Sequence, residues 1–274
     1  MLKTKFLVVG EMGYLGKLTS ERLSVSMDLC PLLKGKITPT TNLSVLNGDL
    51  IEGSCILNFA ATGVGKIENS TEELYFSNSA LLEKLLSAFN AGKGSGFIHF
   101  ASNYEIFSPG ELIESRLPYV NSKKMGSAIC SKWIEIDKRI KLLYLPTIFS
   151  PQQPQGRFFR DFIDSSLSQK PIKLSTPFST IHTSTFDYFF ESLCDFIDSS
   201  KNISHVEAQI TCTVLDFALL LNEVIEELGF EKVVIEYSKI SKFRTPKKIQ
   251  PEPDEITMIT LRKYITEMLG GISE

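Results

Sequence analysis

Residues 8–16 of the chain read Val-Val-Gly-Glu-Met-Gly-Tyr-Leu-Gly, a glycine-rich turn that follows an apolar run. The apolar run predicts a buried strand, and the residues from 17 to 27 predict a helix. Between them, Gly10 permits a tight turn, Gly13 lets the backbone approach a pyrophosphate, and Gly16 lets the helix pack closely on the strand. The N-terminus of the helix adds N–H groups and a positive dipole. A strand, this turn and a helix in that order favour a dinucleotide-binding unit over a plain glycine turn.

The rest of the chain alternates between strand and helix signals. Further strands are predicted at 56–61, 97–102, 141–149 and 233–237, and further helices at 70–90, 119–139, 158–167, 184–198, 213–228 and 258–269. This alternation predicts an α/β fold, a Rossmann-type doubly wound parallel sheet with a smaller C-terminal substrate lobe. Because a cluster of prolines follows residue 145, we expect residues 1–150 plus about 180–205 to form the NAD(P)-binding domain. Residues from about 151 to 179 and from 206 to 274 would then form the substrate-binding lobe.

The composition excludes several classes of function. A net charge of −3 over 274 residues provides no basic field for nucleic acid. The longest apolar runs are too short to span a bilayer, and the first residues lack the pattern of a signal peptide. Five scattered cysteines without a C-x-x-C pair suggest neither disulfides nor a metal site, and the three histidines are far apart. We therefore expect a cytoplasmic protein with no nucleic-acid partner, no membrane partner and no bound metal.

Three polar residues form a candidate catalytic set. Tyr119 and Lys123 lie four residues apart, so that on a helix they share one face. A nearby cation favours the phenolate form of a tyrosine, which makes it a usable acid or base near neutral pH. Ser102 ends the strand predicted at 97–102, where a hydroxyl would reach the ligand edge of the sheet. The alternatives are an ordinary helix pair and a hydroxyl that caps a turn.

With these motifs in place, the sequence resembles the extended short-chain dehydrogenases/reductases, the epimerase/dehydratase family that modifies nucleotide sugars. The resemblance covers nearly the whole chain, including the segments Ile56-Leu-Asn-Phe-Ala-Ala61 and Leu145-Pro-Thr-Ile-Phe-Ser-Pro151. It implies Ser102, Tyr119 and Lys123 as catalytic residues. The cofactor residues it implies are Gly10, Met12, Gly13, Tyr14, Leu15, Gly16, Phe59, Ala60, Ala61, Asn78, Tyr119, Lys123, Pro146 and Ile148. The substrate-binding residues it implies are Asn103, Tyr104 and Thr147. Arg157 is a further candidate, since a guanidinium could meet a sugar-linked diphosphate, and the alternative is a solvated surface charge.

The residues after Ser102 bear on the reaction. Dehydratases of the family usually carry an Asp-Glu pair there, whereas this chain has Asn103 and Tyr104, which disfavours dehydration. The stretch looks like the Thr-Asp-Tyr segment of the dTDP-4-dehydrorhamnose reductases, although Glu105 leaves a displaced acid open. The leading expectation is an NAD(P)-dependent oxidoreductase that transfers hydride to a 4-keto nucleotide sugar, with Tyr119 as the acid. The alternatives are a nucleotide-sugar 4-epimerase with tightly bound NAD, and a non-catalytic dinucleotide-binding sensor or scaffold.

Other features stay undecided. The choice between NAD and NADP is open, because Asp28 has the spacing of a ribose ligand whereas Lys34 and Lys36 could meet a 2′-phosphate. The family also suggests a homodimer formed through two long helices. Thr147 stands where the family usually has Asn, and a motif that usually carries two adjacent acids is reduced to Asp187. These departures bear on the substrate more than on the fold.

Overall fold

The computed structural model describes residues 5–24, 29–31, 51–61, 70–106, 116–237 and 253–270. The chain divides into two compact units. The first, here called the sheet domain, comprises Met1–Leu145 and Leu193–Val206. The second unit comprises Pro146–Ser192 and Glu207–Glu274, so that the division falls inside a helix. No helix within the described ranges is long and apolar enough to cross a membrane.

The described elements follow in chain order. The strands are β1 (Lys5–Val9), β2 (Leu29–Pro31), β3 (Ser54–Asn58), β4 (Gly96–Ser102), β5 (Ile140–Leu145), β6 (Thr147–Phe149), β7 (Ile172–Leu174), β8 (Thr180–Thr185), β9 (Ile203–His205), β10 (Ile210–Thr213) and β11 (Ile235–Tyr237). The helices are α1 (Tyr14–Ser24), α2 (Thr71–Tyr75), α3 (Leu81–Ala91), α4 (Leu117–Ile136), α5 (Phe158–Ser168), α6 (Phe186–Asp198), α7 (Val214–Glu227) and α8 (Glu255–Gly270). A π-helical turn at Phe76–Ala80 joins α2 to α3.

The sheet domain is built on a parallel sheet of six strands in the order β2-β1-β3-β4-β5-β9. Every pairing described in it is parallel, with Leu7 of β1 opposite Cys30 on one side and Ile56 on the other. The predicted Rossmann-type parallel sheet is thus confirmed. The chain adds β2 on one side of β1 and then continues with β3 on the other. Ligands of open α/β sheets bind at the carboxyl ends of the strands at such a reversal.

The helices cover the sheet with apolar side chains spaced for one face. From α3, Leu82, Leu85 and Phe89 are fully buried in the same cluster as β1, β3 and β4. The helical segment begins at Ser70, whose hydroxyl accepts the N–H of Glu73 at 3.2 Å while the Glu73 carboxylate accepts the N–H of Ser70. This capping box is the one predicted from the sequence. The π-helical turn within the segment was not predicted.

The strand predicted at 141–149 is two strands that belong to different sheets. Its first part is β5 of the parallel sheet, and its second part is β6, which pairs with β8 in a three-stranded sheet of order β10-β8-β6. Pro146 separates them, because it has no N–H with which to continue a ladder. The second unit has its own apolar core, which includes Phe149, Phe162 and Leu221. It also contains the short parallel pair of β7 with β11.

Candidate active site

The glycine loop packs on the backbone that follows β3. Gly10 has a φ of +85°, and a Cβ there would lie 2.7 Å from the backbone nitrogen of Ala60. A Cβ at Gly16 would overlap the carbonyl oxygen of Gly10, which also accepts the N–H of Gly13 at 2.9 Å. Only glycine therefore fits at positions 10 and 16. These contacts hold the loop at the carboxyl ends of β1 and β3.

The loop has the features that a dinucleotide requires. Met12 is 71 % exposed and Gly13 is exposed, so the backbone at this point is open to a ligand. Helix α1 begins at Tyr14 and carries no acidic residue in its first turn, which leaves its positive pole uncompensated by its own side chains. Glu11 is half-buried within the loop. An anionic pyrophosphate fits this helix N-terminus.

Ser102 stands at the carboxyl end of β4 and caps the turn that follows. Its hydroxyl accepts the N–H of Tyr104 at 3.3 Å, and its own N–H donates to Oε1 of Glu105 at 2.7 Å. The capping alternative is therefore observed. Within the described residues no group accepts the hydroxyl proton of Ser102. The hydroxyl can still donate to an oxygen of a ligand.

Tyr119 and Lys123 lie one turn apart on α4 and are buried, with 5 % and 3 % of their surfaces exposed. The ammonium of Lys123 donates to the carbonyl oxygen of Phe100 at 2.7 Å. That contact attaches the helix to β4 two residues before Ser102. The buried positions rule out an ordinary exposed helix pair. Burial lowers the pKa of Lys123, and the nearby charge of Glu105 raises it.

The π-helical turn holds α4 in place. Asn78 is fully buried in this turn, and its amide donates to the hydroxyl of Ser122 at 2.9 Å. Ser122 in turn donates to the carbonyl oxygen of Tyr119 at 2.7 Å. Gly126 approaches so closely that a Cβ there would overlap the carbonyl oxygen of Asn78. Asn78 thus positions the helix that carries Tyr119 and Lys123.

Two buried titratable residues near the site have contacts that the sequence does not predict. Glu105 is 8 % exposed and belongs to the turn after β4. His99 of β4 is 1 % exposed, and its Nδ1 lies 3.2 Å from the amide nitrogen of Asn58. Because Oδ1 of Asn58 accepts the N–H of Ala60, the amide nitrogen faces His99 and donates to it. This places the His99 proton on Nε2, which has no partner among the described residues.

We expect His99 to make stability depend on pH. Burial, and next the charge of Lys123, lower the pKa of His99 well below its ordinary value of 6.5. The unfolded chain therefore binds a proton that the folded protein does not. As the pH falls below 6.5, the free energy of unfolding should decrease by up to about 1.4 kcal/mol per pH unit from this one group. Urea denaturation of the wild type and of His99→Gln between pH 5 and 7.5 measures the difference in slope. Equal slopes in the two proteins would contradict the assignment.

The remaining predicted residues of the sheet domain lie beside this set. Tyr104 packs against Leu74 and Tyr119, with the guanidinium of Arg116 5.8 Å from the centre of its ring. Asn103 has a buried Oδ1 without a hydrogen-bond partner in the described part of the chain. Phe59 stacks on Phe100, and their ring centres are 4.0 Å apart.

Other predicted residues lie in the second unit or outside the described ranges. In the second unit Pro146 and Ile148 are buried, and the carbonyl oxygen of Thr147 accepts the Thr183 hydroxyl at 2.8 Å. Arg157 is half-buried immediately before α5. Asp28, Lys34 and Lys36 lie outside the described residues. Among the residues that the structure describes, no cluster of His, Cys, Asp or Glu could hold a metal ion.

No protein-family model matches the chain. A comparison of the sequence with curated proteins also finds no significant match. Solved structures do match it over nearly the whole length. UDP-glucuronic acid 4-epimerase from Bacillus cereus, in complex with NAD, matches with 18% identity and a TM-score of 0.71, over 98% of each chain.

Two further structures match equally well. For dTDP-4-dehydrorhamnose reductase from Bacillus anthracis, in complex with NADP, the identity is 15% and the TM-score 0.72, over 97% of this chain and 99% of that one. For UDP-N-acetylglucosamine 4-epimerase from Methanobrevibacter ruminantium, the identity is 15% and the TM-score 0.72, over 99% of this chain and 100% of that one. These likenesses agree with the parallel sheet. The chain has the fold of the extended short-chain dehydrogenases/reductases.

Proposed function

We propose that the protein is an NAD(P)-dependent oxidoreductase that acts on a keto group of a nucleotide-linked sugar. The observation that carries the proposal is the attachment of Lys123 to β4. Its bond to Phe100 brings the buried Tyr119–Lys123 face of α4 to the strand that ends in Ser102. Two matched enzymes with this fold, which carry NAD or NADP, act on nucleotide sugars according to their names.

The glycine loop and the end of β3 would hold the cofactor. The loop around Gly10, Gly13 and Gly16 and the N-terminus of α1 suit the pyrophosphate. The backbone of residues 59 and 60 lies against the same loop. Bound there, the reduced cofactor would supply hydride. Lys123 would hold a ribose hydroxyl, as the resemblance implies.

The three polar residues would act on the substrate oxygen. Ser102 donates its hydroxyl proton as a hydrogen bond and so orients the carbonyl oxygen. Tyr119 gives its phenolic proton to that oxygen as negative charge develops there. The ammonium of Lys123 stabilises the phenolate that remains. Thr147 and Arg157 are candidates for binding the nucleotide sugar. A guanidinium such as that of Arg157 matches a diphosphate in geometry and charge.

A 4-epimerase is the second candidate, since two of the matched structures are 4-epimerases. An epimerase would use the same three residues, and the cofactor would take hydride from the sugar and then return it. A reductase needs a cofactor that exchanges with the solution, whereas an epimerase regenerates its cofactor within each cycle.

The test is to identify the cofactor and then the reaction. Mass spectrometry of small molecules released from freshly purified, denatured protein shows which dinucleotide is retained. Turnover is followed by NADPH and NADH oxidation with 4-keto deoxysugar nucleotides, and by NMR of UDP-sugar epimers. Retained NAD with epimer interconversion would establish the epimerase. Oxidation of added NAD(P)H by a keto sugar would establish the reductase, and a bound dinucleotide without turnover on any of these substrates would contradict both.

A further inference from the structure

Glu105 is a buried acid at the point where β4 meets α4. Only 8 % of its surface is exposed, and its Oε1 accepts the N–H of Ser102 at 2.7 Å. The carboxylate is therefore bonded to the backbone at the end of β4. To act as an acid on a sugar, Glu105 would have to break this hydrogen bond and turn outward. The position suggests a role that acts through the neighbouring residues.

The neighbouring Lys123 is buried, and its positive charge needs compensation. Its ammonium is buried, and in the described part of the chain it donates only to the neutral carbonyl of Phe100. A buried charge is costly unless another charge compensates it. Burial lowers the pKa of Lys123, and the charge of Glu105 opposes this effect. No direct ion pair joins the two residues in the described structure, but both are bonded to the backbone of β4 two residues apart. The Lys123 ammonium donates to the carbonyl oxygen of Phe100, and the Glu105 carboxylate accepts the N–H of Ser102.

We propose that Glu105 is a positioning residue, whose buried carboxylate fixes the Ser102 end of β4 and supplies the counter-charge that keeps Lys123 an ammonium. The first part follows from the 2.7 Å hydrogen bond to the backbone of Ser102. The second follows from two opposite charges buried in one low-dielectric region. The consequence for catalysis rests on the proposed function, whereas the charge state of Lys123 does not.

Several other groups face this pair and modify its titration. From α4, Lys124 and the hydroxyl of Ser127 both lower the pKa of Glu105, although Ser127 makes no hydrogen bond of regular geometry in the described structure. From β5, Tyr144 has a raised pKa, first through burial and next through the charge of Glu105. His99 of β4 stays neutral. The net effect on Glu105 is a raised pKa, for which burial is the largest cause.

The direct test reads the proton on Lys123 by NMR. In full-length protein labelled with ¹³C-lysine, the side-chain signal of Lys123 is assigned by its absence in Lys123→Met and then followed against pH. We expect Glu105→Gln to lower the titration midpoint of Lys123 by about one pH unit or more. The matched control is Glu135→Gln, which removes an exposed carboxylate from the same helix and should leave the midpoint unchanged. Equal Lys123 midpoints in the wild type and Glu105→Gln would overturn the proposal.

The wild type alone provides a second reading if Glu105→Gln does not fold. Its Lys123 signal should show a small additional step at acidic pH, above 4.5, as Glu105 gains its proton. A Lys123 signal that shows no such step would count against the counter-charge. Neither reading requires substrate.

The effect on catalysis is measured through the pH profile of kcat. In Glu105→Gln the alkaline limb should move to lower pH by the same interval as the Lys123 midpoint, whereas a purely structural loss would lower kcat equally at every pH. If no keto sugar is turned over, the proposed function fails while the NMR result still decides the role of Glu105. If turnover is normal and the Lys123 midpoints coincide, only this inference fails.

Discussion

Replacement of Tyr119 by phenylalanine should reduce turnover by about 10²–10⁴-fold, the usual contribution of a general acid or base. The ring still fills its buried place against Leu74 and Tyr104. Only the transferable proton is lost, so binding of dinucleotide and nucleotide sugar should stay within a few-fold of wild type. The measurement is kcat on whichever keto sugar or epimer pair the wild type uses, together with calorimetric affinities for the cofactor.

Two neighbouring variants separate the roles within the site. Lys123→Met should weaken cofactor binding as well as turnover, because it removes both the ammonium and a proposed ribose contact. Ser102→Ala should be milder than Tyr119→Phe, because an ordered water can partly replace one hydroxyl. Near-wild-type turnover in Tyr119→Phe would mean that the chemistry uses another acid. The buried Tyr–Lys pair would then be a structural feature of α4.

The sequence was sufficient for the features that depend on local pattern. Glycine spacing placed the loop, because a close backbone approach leaves no alternative residue at Gly10 and Gly16. The alternation of strand and helix signals predicts the parallel sheet, and Ser70 with Glu73 predicts the start of a helix. Each of these is a short-range rule in which a few neighbouring residues determine the geometry.

The features that depend on distant contacts were not predictable in this way. The π-helical turn brings Asn78 onto Ser122, 44 positions further along the chain, and no local pattern announces that contact. The sequence leaves open a displaced acid at Glu105, because its spacing from Ser102 does not reveal that its carboxylate turns back to the backbone. In the sequence His99 is one of three scattered histidines. Its contact with Asn58 arises only because β3 and β4 are neighbours in the sheet. Such polar contacts are set by the packing of strands and helices that lie far apart in sequence.

Replacement of Gly13 by aspartate should remove cofactor binding while leaving the fold intact. The position is exposed, and a Cβ there would meet only the carbonyl oxygen of Gly10, at 3.1 Å, so a small adjustment accommodates the side chain. The new carboxylate would stand at the N-terminus of α1, where the pyrophosphate is proposed to lie. Two unit charges about 4 Å apart repel by about 4 kcal/mol at the effective dielectric of a protein surface, which corresponds to about 10³-fold in affinity.

Gly13→Asn separates this charge effect from the bulk of the side chain. Asparagine has nearly the same shape without the charge, so it should weaken the dinucleotide much less than aspartate does. The difference between the two variants should shrink as salt is added, because an exposed repulsion is screened. Isothermal titration with NADP⁺ and NAD⁺ at 50 and 500 mM salt measures both effects, and circular dichroism checks the fold. Unchanged affinity in Gly13→Asp would place the dinucleotide elsewhere, whereas an equal, salt-independent loss in both variants would show that steric bulk, and not charge, governs this turn.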